Sequence, residues 1–195
     1  TQSSEVLQYT DYAIWENKYF NDKILKHKAE FWKNYLKDYQ NLNLPTDYNR
    51  PKTIQYKGGI VNLELDKTIS NQLRELTKAN QTTLHITLLS SIAILLGKYS
   101  NQNDIVIGTP HANRNWHQTN DIIGLFVNTT VNRIILKQKQ HFHELIKANH
   151  LKNSESQEHQ DLPYEKIVEA INVQRDTARN PIFQEAFSLQ RFGHK

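Results

Sequence analysis

The sequence predicts a mixed α/β fold in which a small sheet packs in layers against helices. Three observations carry that expectation. Apolar residues recur at helical spacing in several stretches, and β-branched runs of strand length lie between them. One helical stretch, Leu84 to Tyr99, is apolar almost all round, as a buried helix is. The 195 residues are enough for one compact domain with its own core, and no internal repeat or linker-like stretch divides them.

From Asp11 to about Tyr39 the apolar positions are Tyr12, Trp15, Tyr19, Ile24, Leu25, Phe31, Trp32, Tyr35, Leu36 and Tyr39. They read as one or two amphipathic helices with an aromatic face. Pro45 and Pro51 then bracket a loop. Gly59 to Leu65 alternates, with Ile60, Asn62 and Glu64 on one side and Val61, Leu63 and Leu65 on the other, which predicts a strand. Asp66 or Thr68 caps a helix carrying Ile69, Leu73 and Leu76, and Thr82 or Thr83 caps the buried helix. Asp104-Ile-Val-Ile-Gly-Thr-Pro-His reads as a buried strand, and Phe126 to Leu136 as a second. His141 to about Asn153 reads as a helix. A shorter helix capped by Asp161, with Pro163 in its first turn, runs to Ile171, and Phe183 to Leu189 reads as a final strand.

Composition narrows the function classes. The absence of cysteine removes disulfides, thiolate zinc sites and a thiol nucleophile together, and fits a reducing, cytoplasmic setting. No run of about 18 apolar residues predicts a membrane span. A net charge of +4 comes from lysines scattered among acids, with no basic run interleaved with aromatics, so nucleic-acid binding is not expected. The N-terminus lacks both Met and a signal-peptide form and runs straight into an amphipathic pattern, as expected of a chain cut from a longer one. There is no glycine-rich phosphate loop and no G-x-S-x-G elbow. His141-Phe-His143 is the closest histidine pair, without the third ligand a metal site needs, so no metal is expected.

Four short polar segments remain, in the order Tyr9-Thr-Asp-Tyr-Ala-Ile-Trp15, Ile123-Gly-Leu-Phe-Val-Asn-Thr129 with Arg133, His159-Gln-Asp-Leu-Pro-Tyr-Glu165, and Arg175-Asp-Thr-Ala-Arg-Asn-Pro181. They resemble the Y-x-D-Y-A-V-W, I-G-x-F-V-N-T-x-x-x-R, H-Q-D-x-P-F-E and R-D-x-S-R-N-P motifs of nonribosomal peptide synthetase condensation domains. The stretch from Asp104 to Pro110, ahead of Asn113-Arg114, is similar to the segment before the family's second motif. The likeness runs from Tyr9 to Leu189. It departs at Ile14 for Val, Leu125 for an aromatic, Tyr164 for Phe and Ala178 for Ser.

The resemblance implies a chloramphenicol-acetyltransferase-like lobe from a two-lobed enzyme with a tunnel between lobes. Such an enzyme joins aminoacyl or peptidyl groups held as thioesters on carrier-protein phosphopantetheine, in a parent that also holds an adenylation domain. It implies no directly bound cofactor. The family's H-H-x-x-x-D-G motif belongs to the other lobe, and no His-His pair occurs here. Residues 1–195 are thus expected to be a partial condensation domain, mostly C-terminal lobe, without the first lobe and the last strands. No catalytic residue is expected in the chain, and it is expected to be inactive alone. The intact Val127-Asn128-Thr129 favours ordinary condensation over epimerisation.

Each motif residue carries a functional and a structural reading. Asn128 either points its amide into the tunnel or satisfies backbone groups beside an irregular turn. Arg133 shapes the tunnel through an ion pair or lies along a strand face. His159 and Arg114 complete the tunnel candidates, with His159 alternatively helping to start a helix. Tyr9, Asp11 and Trp15 read as packing and capping of the first helix, and Asp161 as a cap. Arg175, Asp176 and Arg179 read as a charged network fixing the turn before Pro181. Two alternatives stay open: a related acyltransferase using coenzyme A or a carrier, and a non-catalytic carrier-binding module. Apolar surface left by an absent lobe predicts self-association.

Overall fold

The computed structural model describes residues 7–55, 57–173 and 176–190. The aromatic N-terminal stretch forms two helices, α1 (Tyr9–Tyr19) and α2 (Asp22–Tyr35). They break at Phe20-Asn21, where the Asn21 side chain accepts from the Ile24 amide and starts the second helix. Helix α3 (Lys67–Ala79) is capped by Asp66, and α4 (Leu84–Ser100) by Thr83. Strand β1 (Asp104–His111), a 3₁₀ turn at His117–Thr119 and strand β2 (Asn128–Ile135) follow. Helices α5 (Phe142–Gln157) and α6 (Tyr164–Ile171) and the two-residue strand β3 (Glu185–Ala186) complete the order.

The sheet is mixed, in the order β2-β1-β3, with β1 antiparallel to β2 and parallel to β3. Alternation along β1 divides the core. Val106 and Val131 pack with Trp32 and Leu36 of α2, Ile167 of α6, and Leu162 and Ile182. Ile105, Ile107 and Ile134 pack with Leu89 and Ala93 of α4 and Leu145 of α5. Helices therefore cover both faces of the sheet, and the mixed α/β class follows from one residue in two pointing each way. Gly108 lies under the Phe183 ring, where a Cβ would sit 2.5 Å from ring carbons, so β3 approaches β1 only over a glycine.

Four expectations change. Gly59–Leu65 forms no strand: among the described residues its backbone makes no backbone–backbone hydrogen bond, the Leu65 carbonyl accepting instead from the Ser70 hydroxyl at 3.5 Å, and Ile60, Val61 and Leu63 are 89%, 97% and 87% exposed. Alternation favours a strand only where an edge is there to receive it. The final strand shrinks to Glu185–Ala186. Helix α4 is buried through Ile86, Leu89, Ala93 and Gly97, but Leu95 and Tyr99 are exposed. Asp161 does not cap α6; the residue before the helix is Pro163, which offers no side-chain acceptor, and Asp161 is drawn into an ion pair instead.

Candidate functional site

The first three motifs meet around one cleft of about 340 Å³, beside α1, the loop leading into β2, and the start of α6. Leu125, Phe126 and Val127 form its apolar wall. Glu16, Asn113, Asn128, Thr129 and Glu165 bring polar groups, and Tyr9, Tyr12, Pro163 and Tyr164 complete the lining. Tyr12 donates to the Glu16 carboxylate at 2.8 Å, and its phenol is held above the usual range, by burial first and by Glu16 second. Asn113 sits in the left-handed region, φ 51°, which Asn tolerates better than most residues. On the other side of Tyr12 a second groove of about 340 Å³ is almost wholly apolar, walled by Leu7, Trp15, Trp116 and Ile122.

Asn128 joins two motifs. Its Nδ2 donates to the Gln160 and Leu162 carbonyls, both at 2.8 Å, and its Oδ1 accepts from the Tyr164 amide at 3.1 Å. It thereby satisfies an orphan donor of α6, the job expected of Asp161, and spends both amide hydrogens on the chain. Asp161 instead accepts from Lys28 at 2.6 Å and from Tyr19 at 3.4 Å, and Lys28 also donates to the Glu158 carbonyl. His159 lies away from the cleft lining. Its ring stacks on Phe31 at 3.8 Å, Nδ1 is buried without a partner among the described residues, and its pKa is lowered, by burial first and then by Lys28 and His27.

Arg133 is at the far end of β2. Its guanidinium takes the Asp104 carboxylate two-pronged, at 2.9 and 2.7 Å, and donates to the Tyr35 and Lys37 carbonyls, while its amide donates to the Tyr35 hydroxyl. It closes the C-terminus of α2 onto the sheet. Arg114 lies behind the loop, donating to the Thr119 and Ile122 carbonyls with its guanidinium 4.2 Å over the Phe126 ring.

The remaining motif residues sit around this frame. Asp11 accepts from the Gln8 amide at the start of α1. Trp15 stacks on Tyr19 and meets Trp116 edge-on at 4.4 Å. Asp176 accepts from the Ala178 amide and lies 3.9 Å from Arg179, which reaches Asn43. Arg175 lies outside the described residues. Glu16 lines the cleft without having been singled out, and is recoverable from its i, i+4 spacing to Tyr12. Among the described residues no three metal-ligating side chains gather, and no single helix is long and apolar enough to cross a membrane.

Comparison with known proteins gives a concordant result. The family model described as Condensation domain matches residues 1–195. Surfactin synthase subunit 1 of Bacillus subtilis (strain 168) is 39% identical over 185 residues, 94% of this chain and 5% of that protein. Tyrocidine synthase 3 of Brevibacillus parabrevis is 35% identical over 190 residues, 97% of this chain and 3% of that protein. Among solved structures, the X-domain from teicoplanin biosynthesis superposes with a TM-score of 0.83 at 28% identity, covering 92% of this chain and 41% of that one. A four-domain nonribosomal peptide synthetase bound to AMP and glycine matches with a TM-score of 0.83 at 31% identity, over 89% of this chain and 13% of that one. The chain thus spans a small fraction of the curated relatives it matches.

Proposed function

We propose, since this chain belongs to the condensation-domain family, that it forms one wall of an amide-forming site. Carrier-borne aminoacyl or peptidyl thioesters would meet there. The observation that carries this reading is the convergence of the first three motifs on one cleft, with Asn128 tying the second to the third. Amide formation from a thioester needs an amine with a free lone pair, two tethered reactants in contact, and stabilisation of the oxyanion. Placement alone can lower such a barrier by roughly 7–11 kcal/mol. A wall whose polar groups are fixed by the fold suits that task. Proton transfer is assigned to the H-H-x-x-x-D-G motif of the family's other lobe, which these residues do not contain.

Carrier proteins with phosphopantetheine arms and an adenylation domain of the same polypeptide are the proposed partners, in the cytoplasm. The apolar surface of the isolated chain is proposed to drive self-association. The test is dipeptide formation from two loaded carriers, assayed with the chain alone and with the longer polypeptide that contains it. Turnover by the longer polypeptide only is expected. Turnover by the chain alone would contradict the assignment of proton transfer elsewhere, and turnover with acyl-coenzyme A but not carriers would favour a related acyltransferase.

A further inference from the structure

The loop between the 3₁₀ turn and β2 holds apolar side chains away from any core. Ile123 is 96% exposed and Leu125 77%, and Leu125 and Val127 line the cleft. Side chains turned outward cannot fix their own backbone, so this loop is fixed from behind. Ile122 and Phe126 are buried against Tyr12, Tyr9 and Trp116. Arg114 gathers the Thr119 and Ile122 carbonyls. The last contact is Tyr9. Its hydroxyl donates to the Leu125 carbonyl at 2.9 Å, its ring meets Phe126 edge-on at 5.3 Å, and it lies so close to Gly124 that a Cβ there would fall 2.1 Å from Tyr9 Cδ2. Gly124 has no positive φ, so close approach rather than backbone conformation demands glycine.

We propose that Tyr9 is a positioning residue: clasped onto Gly124 and Leu125, it sets Leu125 and Val127 as the wall against which the carrier-borne substrate lies. This rests on the condensation reading above. Tyr9 also lines the cleft, but its hydroxyl is committed to the Leu125 carbonyl, so it acts through the loop. The seating of one aromatic on one glycine makes the pair a unit, so losses at the two positions must overlap.

The test uses the longer polypeptide, with Tyr9→Phe, Gly124→Ala and the double variant. Losing one hydrogen bond of ordinary net strength corresponds to about a twofold to tenfold effect. Tyr9→Phe is therefore expected to raise KM for the aminoacyl-carrier substrate by that factor, with kcat held within about twofold. Gly124→Ala is expected to raise it further, and adding Tyr9→Phe to Gly124→Ala to change little more. In the 195-residue chain both single variants should speed amide exchange at residues 122–127. Unchanged KM alongside faster loop exchange would overturn the positioning role, as would strictly additive losses or a fall in kcat alone. Wild-type polypeptide that forms no amide would overturn the condensation reading and the substrate role with it, while loop exchange would still report the clasp.

Discussion

Two stretches of this molecule share a feature and differ in outcome. Ile123–Val127 and Gly59–Leu65 both turn apolar side chains to solvent, with Ile123 at 96% and Val61 at 97% exposure. The first is held on its inner side by Tyr9, Arg114 and buried Phe126, and leads into Asn128, whose amide ties down the start of α6. The second makes no backbone–backbone hydrogen bond among the described residues, and is held only at its end, where the Leu65 carbonyl accepts from the Ser70 hydroxyl. Exposed apolar side chains on an anchored backbone make a shaped wall; on an unanchored one they make a strand waiting for an edge.

The comparison predicts that substitutions in the anchored region cost far more than those in the free one. The largest effect is expected at Arg133, where truncation to Ala strands a mostly buried Asp104 carboxylate and frees the C-terminal carbonyls of α2. The expected loss is about 3–4 kcal/mol in urea unfolding. Asn128→Ala removes three hydrogen bonds and leaves the Tyr164 amide without its partner, for an expected loss of about 2–3 kcal/mol. A loss under about 0.5 kcal/mol at either site would break the comparison from the anchored side.

An effect of pH comes next. His159, His111 and His85 all have pKa values lowered by burial, so the unfolded chain binds protons that the folded chain resists. Their contribution is intact above the ordinary histidine value of about 6.5 and is lost as pH falls below it. His159 faces Lys28 and His27 of α2 as well as Glu158 and Asp161. His159→Gln is expected to flatten the fall in thermal midpoint between about pH 7.5 and 5.5. An unchanged slope would place the acid sensitivity elsewhere. The smallest effect is expected for Val61→Ser with Leu63→Ser, within about 0.5 kcal/mol of wild type in the same unfolding measurement.

What the sequence made legible follows the same division. Helices and the paired strands were readable because their signals are local: Asp66 and Thr83 cap the helices they precede, and the runs at Ile105–Ile107 and Val131–Ile134 form the central pair. Strand formation at Gly59–Leu65 was not, because period-2 alternation reports the strand and never its partner. The cleft was legible as a set of motifs but not as geometry. Asn128 and Asp161 both carry acceptors near the start of α6, and only packing puts Asn128 at the Tyr164 amide while Lys28 takes Asp161. Arg133 and His159 each carried a tunnel reading and a structural one, and the contacts that place them outside the cleft lining are made roughly a hundred residues away in sequence, to Tyr35 and to Phe31. Gly124 was readable as a motif glycine, but its reason is the Tyr9 ring.

Residue-resolved amide hydrogen exchange on this chain, compared between Gly58–Leu65 and Val127–Tyr164, tests the contrast most directly. Exchange near the unprotected rate is expected throughout Gly58–Leu65 in dilute solution, with strong protection of the Tyr164 amide that is lost in Asn128→Ala. Protection of Gly58–Leu65 that survives dilution, or a Tyr164 amide indifferent to Asn128, would contradict that contrast.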